Sequence, residues 1–254
     1  MKKIVSILLL LSLLLCGCGE GNRTVEKEDV ESFNHAVENL NSQKRNSGNY
    51  LLEITFGDMT VLYYASGEVA WDREAETAFA EFKQTYLGAS TEMENYFSKG
   101  KMVSIEDGNL LETERESSKV FEMFPYFTHF SYNDSCKGLK KGTNSKGETV
   151  SFSRSDTKDI FSKVLGENIY DLVTVLKKPQ RDKIEYSDTE CVYTFSEGNI
   201  ISCRYDFDVK LFDTPAYVPG HSQSEEEYTL KLHVVAKVDF KSHGDAVEIK
   251  EYSK

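Results

Sequence analysis

From Ser202 to Leu211 the chain alternates without a break: Cys203, Tyr205, Phe207, Val209 and Leu211 on one side, Ser202, Arg204, Asp206, Asp208 and Lys210 on the other. That period of two belongs to a strand, whose successive side chains point to opposite faces. Leu230, Leu232, Val234, Ala236, Val238 and Phe240 repeat it among mostly polar neighbours. A strand that is apolar on one face and wet on the other belongs to an antiparallel sheet; a buried parallel sheet would read as continuous apolar runs. The chain must therefore build a one-sided sheet and cover its apolar face.

Earlier in the chain, YLLEITF, MTVLYYA and EVAWD read as a meander of three strands, with turns at Gly57-Asp58 and Ser66-Gly67. ENYFSKGKMVSIEDGNLLETE adds two strands and the start of a third, turning at Lys99-Gly100 and Asp107-Gly108. Residues 73 to 87 fit two periods. Ala75, Ala78, Phe79, Phe82 and Tyr86 suit a helix, which periodicity alone favours, whereas Ala78, Ala80, Phe82, Gln84 and Tyr86 alternate as a strand. Around Glu197-Gly198-Asn199 a three-residue hairpin loop keeps the apolar sets together, with Tyr193 opposite Cys203, Cys191 opposite Tyr205 and Phe195 opposite Ile201. The chain closes with AVEIKEY as a last strand.

Two stretches offer helices for the cover. Val30, Phe33, Val37 and Leu40 recur at helical steps from near Asp29 to the polar run after Leu40. Asp156 opens a second, with Ile160, Phe161, Val164 and Leu165 on one side and a possible continuation to Val175 before Pro179. A short helix over Glu116 to Phe124 ends at Pro125. The lysine-rich stretch from Lys137 to Gly147 and the DTPAYVPGHSQSEEE segment read as exposed loops. The class expected is α+β: a curved antiparallel sheet, an unclosed half-barrel, covered on its concave side by two or more helices.

The N-terminus carries an address. Lys2 and Lys3 precede the apolar run Ile4 to Leu15, too short to span a bilayer comfortably, and a cysteine follows a small residue in Leu15-Cys16-Gly17-Cys18. This resembles the bacterial lipobox, with Leu15, Gly17 and Cys18 at its marked positions. The resemblance implies cleavage before Cys18, lipidation of its sulfur and acylation, by palmitate or a similar chain, of its new amino group. Residues 1-17 are then a lipoprotein signal peptide, 18-29 the lipidated cysteine and a flexible spacer reaching about 20 Å, and 30-254 one β-rich domain. The expected location is the extracytoplasmic face of the cell membrane.

Composition excludes more than it proposes. The formal net charge of −12 argues against nucleic acid as a partner. Cys136, Cys191 and Cys203 form no CxxC pair, so neither a zinc ribbon nor a thioredoxin-type site is supported. GxSxG, HExxH and GxGxxG are missing. His221, Glu225 to Glu227 and His233 could be drawn as a metal site, but on a polar loop and an outer strand face the solvated reading is simpler. No catalytic residue, metal or cofactor is assigned, and no enzyme is expected. What remains is a sheet with an aromatic inner face, from which alternation nominates Tyr193, Phe195, Tyr205, Phe207, Val209, Leu232 and Val234 as lining of an apolar cavity.

Lipobox, spacer, amphipathic helix, the meander with NYFSKGKMVSIEDGNL and the ending VAKVDFKSHGDAVEIKEY together resemble exported lipoproteins of the LolA/LolB and LppX-like type, particularly small Gram-positive ones. The likeness spans most of residues 28 to 252 and rests on pattern; its closest local match is Phe240 to Ile249. It implies a half-barrel around an apolar cavity, a strand and not a helix over residues 73 to 87, and binding of a lipid or other apolar ligand. The competing class is a surface or envelope protein-interaction module with a solid core. Both place the chain on a membrane through Cys18.

Overall fold

The computed structural model describes residues 27–56, 60–86, 88–116, 129–161, 184–214 and 228–253. A helix, α1 (Lys27–Ser42), leads into a meander of β1 (Arg45–Phe56), β2 (Thr60–Asp72), β3 (Thr77–Tyr86), β4 (Ala89–Ser98), β5 (Lys101–Glu106) and β6 (Asn109–Glu114). Then come β7 (Cys136–Asn144), β8 (Gly147–Arg154), the short α2 (Thr157–Phe161), β9 (Ile184–Tyr186), β10 (Thr189–Ser196), β11 (Asn199–Thr214) and β12 (Tyr228–His243). All twelve strands join one sheet in the order β6-β5-β4-β3-β2-β1-β12-β11-β10-β8-β7, with β9 paired to β11. The pairings are antiparallel throughout. The first and last strands meet in the middle, so the sheet's two edges, β6 and β7, are consecutive in sequence. The chain after β6 must cross from one edge to the other, and its end, residues 129–132, lies on the inner face against α1.

The class is therefore corrected. Among the described residues the protein is one large unclosed antiparallel sheet with two α-helices, of which only α1 exceeds a single turn or so, and not α+β with two or more covering helices. Within residues 73 to 87, Thr77–Tyr86 form a strand, as the resemblance implied and against the helical period. After a turn, β3 pairs along its whole length with β2 and β4, so every backbone group has a ladder partner and period two wins over the helical spacing. The helix at Asp156 is described only as Thr157–Phe161; its expected continuation, residues 117–124 of the helix before Pro125, the Gly57-Asp58 turn and residues 215–227 of the DTPAYVPGHSQSEEE segment lie outside the described residues.

Four local readings change as well. Ser66-Gly67 is no turn but the middle of β2, where Gly67 sits opposite Tyr50 and Phe82. A Cβ there would lie 1.9 Å from the Glu81 carbonyl oxygen, so the glycine permits close backbone approach instead of a bend. The lysine-rich stretch is the hairpin β7–β8, and Lys137, Lys141 and Lys146 pair with Asp188, Asp29 and Asp239. The Glu197-Gly198 turn is a two-residue loop, both residues at positive φ (51° and 79°), like Lys99-Gly100 and Asp107-Gly108. A bulge at Ile201 then restores the expected register: Tyr193 faces Cys203 and Cys191 faces Tyr205, while Phe195 faces Ile200 and not Ile201. After β12 a 3-10 turn, Gly244–Ala246, is followed by irregular chain and not by a strand.

Candidate functional site

Cross-strand pairing puts one continuous apolar set on one face. A row such as Cys191–Tyr205–Ala236–Leu52–Ala65–Gln84 can be followed from β10 to β3. This inner face has two regions. Over β8, β10, β11 and β12 it is closed by α1, whose Phe33, Val37 and Leu40 are buried. The Phe33 ring meets Phe152 edge-on at 5.4 Å and Tyr193 at 5.0 Å. Phe161 of α2 stacks on Phe207 at 4.5 Å. Of the seven residues nominated from alternation, Tyr193, Tyr205, Phe207, Val209, Leu232 and Val234 are buried in this region, and Phe195 is half-buried. All seven share the core cluster that α1 closes.

The same region carries a polar network that alternation could not reveal. Tyr193 accepts a hydrogen bond from the Phe130 N–H at 2.9 Å, and its hydroxyl lies 3.1 Å from both the Phe130 carbonyl and the Tyr205 hydroxyl. His129 Nδ1 lies 3.5 Å from the Tyr205 hydroxyl, and its ring stands edge-on to Phe240. Burial pushes both tyrosines well above their ordinary range and holds His129 down at about 3, so the histidine is neutral here. Burial likewise pushes the Cys191 and Cys203 thiols up, which removes the thiolate a nucleophile would need. Both stand, with Cys136, as free cysteines.

Over β1 to β4 the inner face is different. Tyr50, Ala65 and Ala80 are buried, but Leu52, Tyr63, Phe82, Tyr86 and Met93 stay partly exposed. Tyr50 and Phe82 meet edge-on at 5.9 Å. The Tyr63 hydroxyl donates to Gln84 Oε1 at 3.2 Å, the Gln84 amide donates to the Met93 sulfur, and Ser104 donates to Asn95 Oδ1 at 2.7 Å. Burial raises Tyr63 and Tyr86 above the usual phenol range, so both are neutral donors. Sequence reasoning missed this region as a site, although the alternation Ala78, Ala80, Phe82, Gln84, Tyr86 was its signal.

The outer face offers little to an apolar molecule. A groove of about 600 Å³ lies there between Tyr96, Val103 and the tail Ile249 to Tyr252, but Glu112, Glu114 and Glu251 rim it and it opens to solvent. His233 sits on this face between Asp206 (3.2 Å) and Asp208 (2.8 Å). Among the described residues no three His, Cys, Asp or Glu side chains are placed to hold a metal ion, and His221 and Glu225 to Glu227 lie outside them. Cys18 is also outside the described residues, among which no helix is long and apolar enough to cross a membrane.

The class defined by this arrangement is an open, one-sided antiparallel sheet whose inner face is partly closed by an N-terminal helix. No family model matches the sequence, and no curated protein matches it. Solved structures similar to it include the lipoprotein LppX of Mycobacterium tuberculosis (7% identity, 89% of this chain and 100% of that one, TM-score 0.44). LprF from Mycobacterium bovis is similar at 9% identity (90% and 99%, TM-score 0.43). A DUF1329 family protein from Desulfovibrio piger is similar at 10% identity (89% and 96%, TM-score 0.31).

Proposed function

We propose that the chain is a non-enzymatic lipoprotein, tethered by a lipidated Cys18 to the extracytoplasmic face of the membrane, that holds a lipid or other apolar molecule on the inner face of its sheet. The observation that carries this reading is the contrast within that face. Over β10 to β12 most inner side chains are buried beneath α1, with Phe195 and Phe240 half-buried, whereas over β1 to β4 Leu52, Tyr63, Phe82, Tyr86 and Met93 keep apolar surface partly exposed. Exposed apolar surface lined by a few neutral polar groups is the ordinary make-up of a ligand site. Tyr193, Phe195, Tyr205, Phe207, Val209, Leu232 and Val234 are the packed continuation of the same floor.

The test is native mass spectrometry of residues 19 to 254 after expression in a bacterial host. Co-purifying lipid is expected, and its amount should fall when Phe82 and Met93 are replaced by Asp. A chain that carries no lipid, and takes none up from added vesicles, ends the carrier reading and leaves the interaction module.

A further inference from the structure

Resting on the reading of the inner face as a ligand site, we infer that its ligand is an uncharged acyl lipid, bound with its neutral head at Gln84, Asn95 and Ser104. Following the pairings from β4 across β3, β2, β1 and β12 to Cys203–Leu211 of β11 and on to β10, no paired inner-face position holds an Asp, Glu, Lys or Arg. The same strands are dense in charge on the outer face: Glu68, Glu81, Glu94, Asp206, Lys237 and Lys241 are examples. Among the paired strand positions of the described residues, inner-face charge appears toward the edges, as Glu106 on β5, Lys141 on β7, and Glu148 and Arg154 on β8. Arg154 is already held by Asp156 through two contacts of 2.9 and 2.6 Å, and Lys141 by Asp29.

A phosphate head carried onto this surface would lose water and gain no strand-borne cation, a cost that a neutral head does not meet. Hydroxyl, ester or amide groups are served instead. Gln84 on β3, Asn95 on β4 and Ser104 on β5 sit beside Phe82 and Met93, and each carries both donor and acceptor atoms. The partly exposed apolar side chains beside them, Leu52, Tyr63, Phe82 and Tyr86, accept the acyl portion.

The full chain, purified in mild detergent, is incubated with equimolar dioleoylglycerol and dioleoylphosphatidylglycerol, and retained lipid is read by native mass spectrometry. Dioleoylglycerol should be retained over the anionic lipid by at least about ten-fold. Equal or preferential retention of phosphatidylglycerol overturns the inference while leaving apolar-ligand binding intact; retention of neither overturns both. Met93→Lys places a cation on this floor and should swing the ratio toward phosphatidylglycerol by about ten-fold or more. Thr91→Lys on the same face of β4 serves if Met93→Lys does not fold. An unchanged ratio in a folded lysine variant overturns the placement.

Discussion

Asn34 holds the backbone of Tyr132 at both of its polar groups: Nδ2 donates to the Tyr132 carbonyl at 2.9 Å, and Oδ1 accepts from the Tyr132 N–H at 2.7 Å. Two helical turns on, Asn41 does the same for His129, at 2.9 and 3.3 Å. Each asparagine amide thus imitates a peptide group, so residues 129–132 pair with α1 as they would with a strand. Tyr193 holds Phe130 from the sheet side. Residues 129–132 are therefore fastened to helix and sheet at once.

Removing one clamp leaves a part-buried N–H and C=O without partners, so Asn34→Ala should cost about 1–3 kcal/mol. Because both clamps hold one short segment, Asn34→Ala with Asn41→Ala should depart from additivity. Urea unfolding gives the cost, and faster amide exchange at Phe130 and Tyr132 locates it. A double variant within about 0.5 kcal/mol of wild type would show that the pairing is incidental.

How far this arrangement was legible in the sequence depended on the residue. The β10–β12 faces were readable because alternation there is unbroken from Cys203 to Leu211 and the inner side is nearly all apolar. The Glu197 hairpin was read in the right register through the wrong loop, because a two-residue turn plus a bulge and a three-residue turn shift the partner strand equally. Ser66-Gly67 misled because a glycine kept small for a passing backbone and a glycine kept flexible for a turn look alike in sequence. The lysine hairpin was hidden because its charges are neutralised by Asp29, Asp188 and Asp239, all distant in sequence. The asparagine clamps, polar residues on a helix flank, had no sequence signal at all.

Gly67 is the sharpest test of the sheet itself. A Cβ at this position would meet backbone, at 1.9 Å from the Glu81 oxygen and 2.6 Å from the Phe82 Cα, and backbone in the middle of a paired strand cannot step aside. Gly67→Ala should therefore destabilise by about 3 kcal/mol or more. Gly100→Ala is the contrast. Its added carbon finds open room, the nearest atom being 3.7 Å away, and only the φ of 86° is strained, at about 1–2 kcal/mol. Denaturation midpoints that rank the two the other way would contradict the β2–β3 register.

The lipidation proposal turns on which cysteine is used. Cys18 follows Gly17, whereas Cys16 follows Leu15. Cys18→Ser should abolish incorporation of labelled palmitate and move the protein out of the membrane fraction; Cys16→Ser should do neither. Label retained in Cys18→Ser would move the cleavage site and, with it, the length of the spacer.

His129 gives the fold a pH dependence whose sign follows from its burial. Its ring lies among Tyr205, Phe240 and the Asn41 clamp, with Arg73 and His243 near enough to disfavour a further positive charge. Burial, the largest cause, holds it at about 3, against an ordinary 6.5. Between those values the unfolded chain binds a proton that the folded chain refuses, so stability is complete above about pH 6.5 and declines as pH falls toward 3. Over the whole window the loss is on the order of a few kcal/mol, beginning before acid reaches the paired carboxylates Asp72, Asp156 and Asp239, which are held below their usual range. His243, also lowered by burial, adds a smaller loss of the same sign. His129→Phe keeps an aromatic ring against Phe240 and removes the proton-binding group. Urea unfolding of wild type and variant at pH 7 and pH 4.5 separates the effects: the wild type should lose more stability between the two pH values than the variant does. Equal losses would mean that His129 titrates normally in the folded protein and that the 129–132 segment opens to water.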